Sequence, residues 1–218
     1  MVNKGIESVN VLVFGASGST GLEVVSQALD RGYSVRAFVR DPDKLQVAHA
    51  RLEKMVGDVT EYASVERAVR GVDAVASALG SGNSLGSHPT LIDGIENIVR
   101  AMEQAGAHRF VYLSMLGVDG SGRQLGLVDR YVVLPLLLRN VMHDHAEKEA
   151  IIQRSTLDWV IVRPPRLANG HYTGSYRRGE DIGAKTLLAS ISRADVADFM
   201  VKQFTEDRYV HRTPAVLG

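Results

Sequence analysis

Val9-Asn10-Val11-Leu12-Val13-Phe14-Gly15-Ala16-Ser17-Gly18-Ser19-Thr20-Gly21 is the stretch on which the reading of this chain turns. Its first half is β-branched and apolar, which suits a strand buried on both faces. Its second half places glycines at 15, 18 and 21. Beyond them Leu22, Val25, Ala28 and Leu29 recur at helical spacing, and Gly32 predicts the helix stop. Strand, glycine turn and helix in this order predict the front of a dinucleotide-binding βαβ unit. Gly15 permits the tight turn, and Gly18 lets backbone N–H groups approach a pyrophosphate. Gly21 lets the helix pack close to the strand, its positive end aimed at the phosphates. Ser17, Ser19 and Thr20 lie between these glycines and are expected cofactor contacts with them.

The 218 residues suffice for one large α/β domain with a substantial core. Basic and acidic residues balance at 25 each, so no overall field recruits nucleic acid or a membrane surface. Cysteine is absent, which removes disulfides, thiolate chemistry and cysteine-ligated metals, and fits a cytoplasmic protein. No metal site is expected. Residues 1–8 are short and polar, unlike a signal peptide. The most apolar run, Tyr131-Val132-Val133-Leu134-Pro135-Leu136-Leu137-Leu138, falls well short of the ~20 residues of a membrane helix.

Strands and helices alternate along the rest of the chain. Strands are predicted at 34–39, 52–56, 73–79, 109–113 and 159–162. Helices are predicted at 42–50, at 61–70, over a long stretch with Ile92, Ile95, Val99 and Met102 on one stripe and Gly106 after it, at 140–154, and opening at Ser192-Arg193-Ala194-Asp195. That last tetrapeptide resembles a capping box with Asp in place of Glu. Gly80-Ser81-Gly82-Asn83-Ser84-Leu85-Gly86-Ser87 reads as a loop. Two longer segments, about 115–140 and 163–185, read as substrate-side loops. The alternation predicts one α/β domain, a doubly wound parallel sheet with helices on both faces.

The end of the second strand selects the cofactor in such a sheet. A carboxylate there binds the ribose 2′-hydroxyl of NAD, and an arginine favours the 2′-phosphate of NADP. Here the corner reads Phe38-Val39-Arg40, with Arg36 and Lys44 expected to add positive charge. NADP is therefore expected, although Asp41 could reach the ribose if the strand ran one residue further. Asp58, followed by Val59, stands at the end of the third strand as an adenine acceptor or as a helix cap. Ala78, Leu79 and Gly80 should run beneath the adenosine ribose and pyrophosphate.

None of the seven tyrosines has Lys four residues on, so the Tyr-x-x-x-Lys pair of ordinary short-chain dehydrogenases is missing. The Gly-x-x-Gly-x-x-Gly loop, Val39-Arg40-Asp41, Gly57-Asp58-Val59, Asp144-His145, Arg163-Pro164-Pro165 and Tyr172-Thr173-Gly174-Ser175-Tyr176 carry a specific resemblance. The chain resembles the atypical short-chain dehydrogenase/reductases of the NAD(P)-binding Rossmann class, most of all the biliverdin reductase B (flavin reductase) group, with NmrA-like regulators as relatives. The resemblance implies an NADPH-dependent reductase acting on flavins or linear tetrapyrroles. It places Ser114 near the nicotinamide, His145 facing the active site, and Arg163, Pro164 and Pro165 along the nicotinamide carboxamide. Arg166 departs from the pattern, where the flavin reductases carry a His.

Three functions follow. The first is hydride transfer from NADPH to a planar conjugated acceptor such as a flavin, with Ser114 and His145 as catalytic residues. The acceptor would be a small molecule, and the protein a monomer or homodimer without nucleic-acid or membrane partners. The second is a non-catalytic NADP(H) sensor of NmrA-like type. The third, a sugar epimerase or dehydratase, is weakened because those enzymes generally keep Tyr-x-x-x-Lys.

Overall fold

The computed structural model describes residues 9–80, 86, 88–119, 121, 125–127, 136, 138–184 and 189–218. Its centre is a parallel sheet of six strands. These are β1 (Asn10–Phe14), β2 (Ser34–Val39), β3 (Leu52–Val56), β4 (Ala74–Ser77), β5 (Arg109–Leu113) and β6 (Asp158–Val162). Their order in space is β3-β2-β1-β4-β5-β6, so the order reverses beside β1, between β1 and β4. In an open parallel sheet, ligands bind at the carboxyl ends of the strands at such a reversal.

Alternate residues of the strands feed two cores. Val11, Val13, Ala37, Ala76, Val111 and Val160 pack against α1 (Ser19–Asp30) and α5 (Arg193–Lys202). Leu12, Phe14, Val75, Phe110, Tyr112 and Ile161 pack against α2 (Tyr62–Val69), α3 (Pro89–Ala105) and α4 (Arg139–Arg154). Because both faces are covered, β1 and β4–β6 are apolar almost throughout. Gly32, Gly71 and Gly106 end their helices with φ of +90°, +72° and +70°, which is the left-handed backbone that glycine adopts freely.

The expected single α/β domain with a Rossmann-like doubly wound sheet is present, and several local expectations change. The 42–50 helix shrinks to one 3₁₀ turn at Pro42–Lys44, which Asp41 caps by accepting from Asp43 N at 3.1 Å. Leu45 is buried and its carbonyl accepts from Lys54 Nζ at 2.5 Å, so the chain is pulled toward β3 rather than around a second turn. β4 stops at Ser77, two residues early. Leu22 is exposed, and Val24 takes its expected place in the core. Segment 163–185 carries β7 (Arg166–Ala168), paired in parallel with β9 (Ser190–Ser192). It also carries β8 (Arg177–Gly179), antiparallel to β10 (Ala215–Leu217). The loop expected at 80–87 and the apolar run at 131–138 lie largely outside the described residues.

Ser192 caps α5, accepting from Asp195 N at 2.9 Å. The Asp195 carboxylate does not return to the Ser192 backbone as in a full capping box. It accepts instead from Thr173 N, Thr173 Oγ1 and Gly174 N at 2.8, 2.9 and 3.0 Å. A shorter carboxylate than Glu has become the clasp of the Tyr172–Tyr176 segment.

Candidate functional site

The loop after β1 and the ends of β2, β3 and β4 meet at a cleft of about 460 Å³. Gly15, Ser17, Gly18, Arg40, Asp58, Val59, Ala78, Leu79 and Gly80 all line it, with Phe38, Thr60, Thr90 and Leu91 among the further walls. Gly15 holds φ at +75°, and a Cβ there would lie 2.6 Å from the Ala78 carbonyl. The turn therefore presses directly on the exit from β4. A Cβ on Gly21 would stand 2.1 Å from the Gly15 carbonyl, so Gly21 packs the helix onto the turn, as expected. Thr20 and Gly21 are buried behind the loop, and Ser19 is exposed at the start of α1. These three lie outside the cleft lining and serve the turn and the helix.

No side chain caps α1, and no acidic residue stands in its first turn. Its free N–H groups and positive end suit a phosphate. Together with the glycine-lined floor, this arrangement fits the pyrophosphate of a dinucleotide.

The cofactor corner is narrower than the sequence suggested. Arg40 is exposed on the cleft wall just beyond β2. Arg36 is not beside it. Its position in β2 opposite Leu12 and Glu53 sends its guanidinium to Glu53 Oε2 at 2.8 Å and to the carbonyls of Ala68 and Arg70. It closes the end of α2 and contributes nothing to the cleft. Lys44 pairs with Asp41 at 3.7 Å, and Asp41 caps its own turn. Arg40 is left as the basic side chain of the corner.

Asp58 does not cap α2, whose N-cap is Glu61. Asp58 Oδ1 accepts from Thr60 N at 2.9 Å and Thr60 Oγ1 at 2.8 Å. These bonds, helped by the Arg40 charge and opposed by slight burial, hold its carboxyl below the ordinary range. It is an ionised acceptor on the cleft wall, as an adenine amine requires. The Val59 carbonyl beside it is fixed by Asn97 Nδ2 at 2.9 Å.

A second group of expected residues gathers at the ends of β5 and β6. Ser114 is buried, and its hydroxyl donates to Glu149 Oε1 at 2.5 Å. Arg163 donates Nε to the same oxygen at 3.2 Å and pairs through Nη2 with Glu149 Oε2. The Arg163 side chain thus turns inward onto α4, and only its backbone and the prolines remain for the role expected of the segment. Pro164 and Pro165 are buried, and the Pro164 carbonyl accepts from Leu116 N at 2.7 Å.

His145 Nδ1 lies 3.1 Å from the Tyr112 hydroxyl and 3.4 Å from Ser114 Oγ. Burial and the nearby Lys148 charge push its pKa down to about 3, against a smaller upward pull from Asp144. The ring is neutral at physiological pH. Tyr112, wholly buried and facing Glu149 and Asp144, is pushed well above its ordinary value and stays a phenol. Sequence reasoning missed Tyr112, Lys148 and Glu149. The signal available was the run Asp144–Glu149, whose charged residues at 144, 148 and 149 share the inward stripe of a helix with Ile152.

Among the described residues no cluster of three His, Asp or Glu side chains could hold a metal, and no helix is long and apolar enough to cross a membrane.

Residues 15–207 match the profile of a family described as NAD(P)H-binding. The chain belongs to the NAD(P)H-binding family. An uncharacterised chloroplastic protein of Arabidopsis thaliana is 33% identical over 213 residues, covering 93% of this chain and 74% of its own. A protein of Bacillus subtilis named as an uncharacterised sugar epimerase, YhfK, is 30% identical over 213 residues, covering 94% of this chain and 92% of its own. The solved structure of ChuY, an anaerobillin reductase of Escherichia coli O157:H7, superposes with a TM-score of 0.78 at 21% identity. It covers 96% of this chain and 97% of that one, and shows the shared fold. The NAD(P)-binding Rossmann class expected from the glycine loop is the class of this chain.

Proposed function

We propose that the protein is an NADPH-dependent reductase that passes hydride to a planar conjugated acceptor such as a flavin. The observation that carries this reading is the state of the two hydroxyls at the end of β5. Ser114 already donates to Glu149, and Tyr112 lies against His145. Neither is poised to give a proton to an alkoxide, as reduction of a simple ketone or epimerisation of a sugar would need. A flavin or related acceptor spreads the incoming charge over its rings and can take its proton through a solvent molecule, with no phenol beside the nicotinamide.

When bound, the nicotinamide supplies the hydride. The chain supplies placement. Gly15, Gly18 and the start of α1 hold the pyrophosphate, Asp58 and Val59 the adenine, and Arg40 the 2′-phosphate. Ser114, fixed by the buried Glu149–Arg163 pair, offers an oxygen lone pair at the nicotinamide end. His145 offers its second ring nitrogen to the acceptor.

The missing phenolic acid also suits a protein that binds NADP(H) and reports its redox state. Steady-state consumption of NADPH separates the two readings. Flavin mononucleotide or a quinone should draw NADPH oxidation, and a nucleotide sugar should not be epimerised. Tight NADPH binding without oxidation by any of these acceptors would move the protein to the sensing reading.

A further inference from the structure

Lys148 is 4% exposed on the inner face of α4, one helical turn beyond His145 and Asp144. The charges of Asp144 and Glu149 act on its ammonium, although among the described residues no ion pair joins it to either. Such a group is costly to keep in a fold. It lines a small pocket with His88, Leu91, Asp144 and His145, with about 10 Å³ of room for the centre of a water-sized sphere. That is the space of a single solvent molecule. His88 Nε2 is buried there without a hydrogen-bond partner. The pocket is thus polar and sized for one solvent molecule.

Resting on the reductase reading, we propose that Lys148 is the proton source for the reduced acceptor, acting through a solvent molecule in this pocket. The other groups are already committed. Asp144 Oδ2 accepts from His88 N at 2.6 Å. Ser114 donates to Glu149, which also holds Arg163 from beyond β6. His145 is neutral, and Tyr112 on β5 holds its proton firmly. Among these groups Lys148 is the one that carries a proton loosened by burial. Burial lowers its pKa, while Asp144 and Glu149 pull it back up.

The balance is simple. The acceptor gains a hydride as the nicotinamide C4–H bond breaks, so NADPH is oxidised and the acceptor reduced by two electrons. The acceptor anion then takes a proton from the solvent molecule, whose O–H bond breaks. The hydroxide takes a proton from the Lys148 ammonium, and the amine recovers one from bulk solvent.

The test uses the full chain and the variants Lys148→Met and Lys148→Arg, with flavin mononucleotide as acceptor. Both should bind NADPH as tightly as the parent and lose turnover by ~10²–10⁴-fold, the range of a lost general acid. Arg keeps the charge but does not release a proton, so a merely electrostatic or packing role would be rescued by Lys148→Arg. Ethylammonium should restore turnover to Lys148→Met. In the cofactor-free protein, NMR of lysine labelled with ¹³C and ¹⁵N should show Lys148 titrating below the other lysines. Turnover within threefold of the parent in Lys148→Arg, or a Lys148 that titrates with the rest, would overturn the proposal while leaving the reductase reading intact. No NADPH oxidation in the parent would overturn the reductase reading, and this proposal with it.

Discussion

The Tyr112 hydroxyl stands 3.1 Å from His145 Nδ1, and this contact fixes which ring nitrogen can serve chemistry. No other acceptor lies within reach of that hydroxyl among the described residues. Tyr112 therefore donates to Nδ1, which leaves the proton of the neutral imidazole on Nε2. His145 is then a fixed hydrogen-bond donor and not an acid. The profile of turnover against pH should show no limb that His145→Ala removes. His145→Ala should cost about tenfold, the scale of one hydrogen bond. A hundredfold loss, with a limb near pH 6.5 that vanishes in the variant, would make His145 the acid instead.

The same ring makes stability depend on pH. His145 has a folded pKa of about 3, below its unfolded value. The unfolded chain therefore binds the extra proton first as pH falls. Stability is unaffected above about pH 6.5 and is lost progressively from there down to about 3. Urea unfolding at a series of pH values should show this slope in the parent, and His145→Gln should flatten it between pH 6 and 4.5. An unchanged slope in the variant would place the loss elsewhere.

Asp198 adds a second, more acidic window. Its fully buried side chain accepts from Tyr176 at 2.6 Å and Lys202 at 2.7 Å, and pairs with Arg31 of α1. Burial alone would raise its pKa. The Lys202 and Tyr176 hydrogen bonds and the Arg31 charge outweigh that and leave it lowered. Its contribution is present above about pH 3.9 and is lost as pH falls through the lower folded value. Asp198→Asn leaves Arg31 and Lys202 without their anion and should destabilise the protein by ~3 kcal/mol at pH 7. Thermal unfolding that matches the parent would refute this role of Asp198.

In the proposed reading, cofactor choice rests on Arg40. A charge-assisted pair with the 2′-phosphate is worth about 1.5–3 kcal/mol, or ten- to a hundredfold in affinity. Calorimetry should find NADPH bound tighter than NADH by that factor, and Arg40→Ala should erase the difference. Equal affinities in the parent would sink the assignment.

Gly18 and Gly21 should part company when substituted. Gly18 has an ordinary extended backbone, φ −77° and ψ 159°, and a Cβ would meet only the Gly15 carbonyl at 3.2 Å. Gly18→Val should fold and fail to bind NADPH, because its branches enter the phosphate cradle. Gly21→Ala should fail earlier, in folding, because its Cβ collides with backbone. Circular dichroism and calorimetry on both variants would show the opposite order if this turn is not the cradle.

The fold was legible because its signals are local. Three glycines close a turn, apolar strands alternate with amphipathic helices, and β2, β3 and β5 have the bounds their residues suggest. The 42–50 helix was misread because a proline and a capping Asp promise a helix, whereas the burial of Leu45 and the pull of Lys54 are long-range. Arg36 was misplaced for the same kind of reason. One residue shift along β2 decides whether a side chain meets the cofactor or the end of α2, and only the register against Leu12 and Glu53 settles it. The cleft residues were legible from the loop chemistry. Tyr112, Lys148 and Glu149 were not, because β5 and α4 bring Tyr112 to His145 and Glu149 to Ser114 across 33 and 35 residues of chain, and Lys148 lies on an unremarkable helix stripe.

Single-turnover reaction of the protein with NADPH deuterated at C4 and flavin mononucleotide tests the central claim most directly. Bound NADPH should be oxidised as the flavin is reduced, in equal amounts, and deuterium should slow the step. NADPH that binds in the cleft and stays reduced, with flavins and quinones in excess, would contradict it.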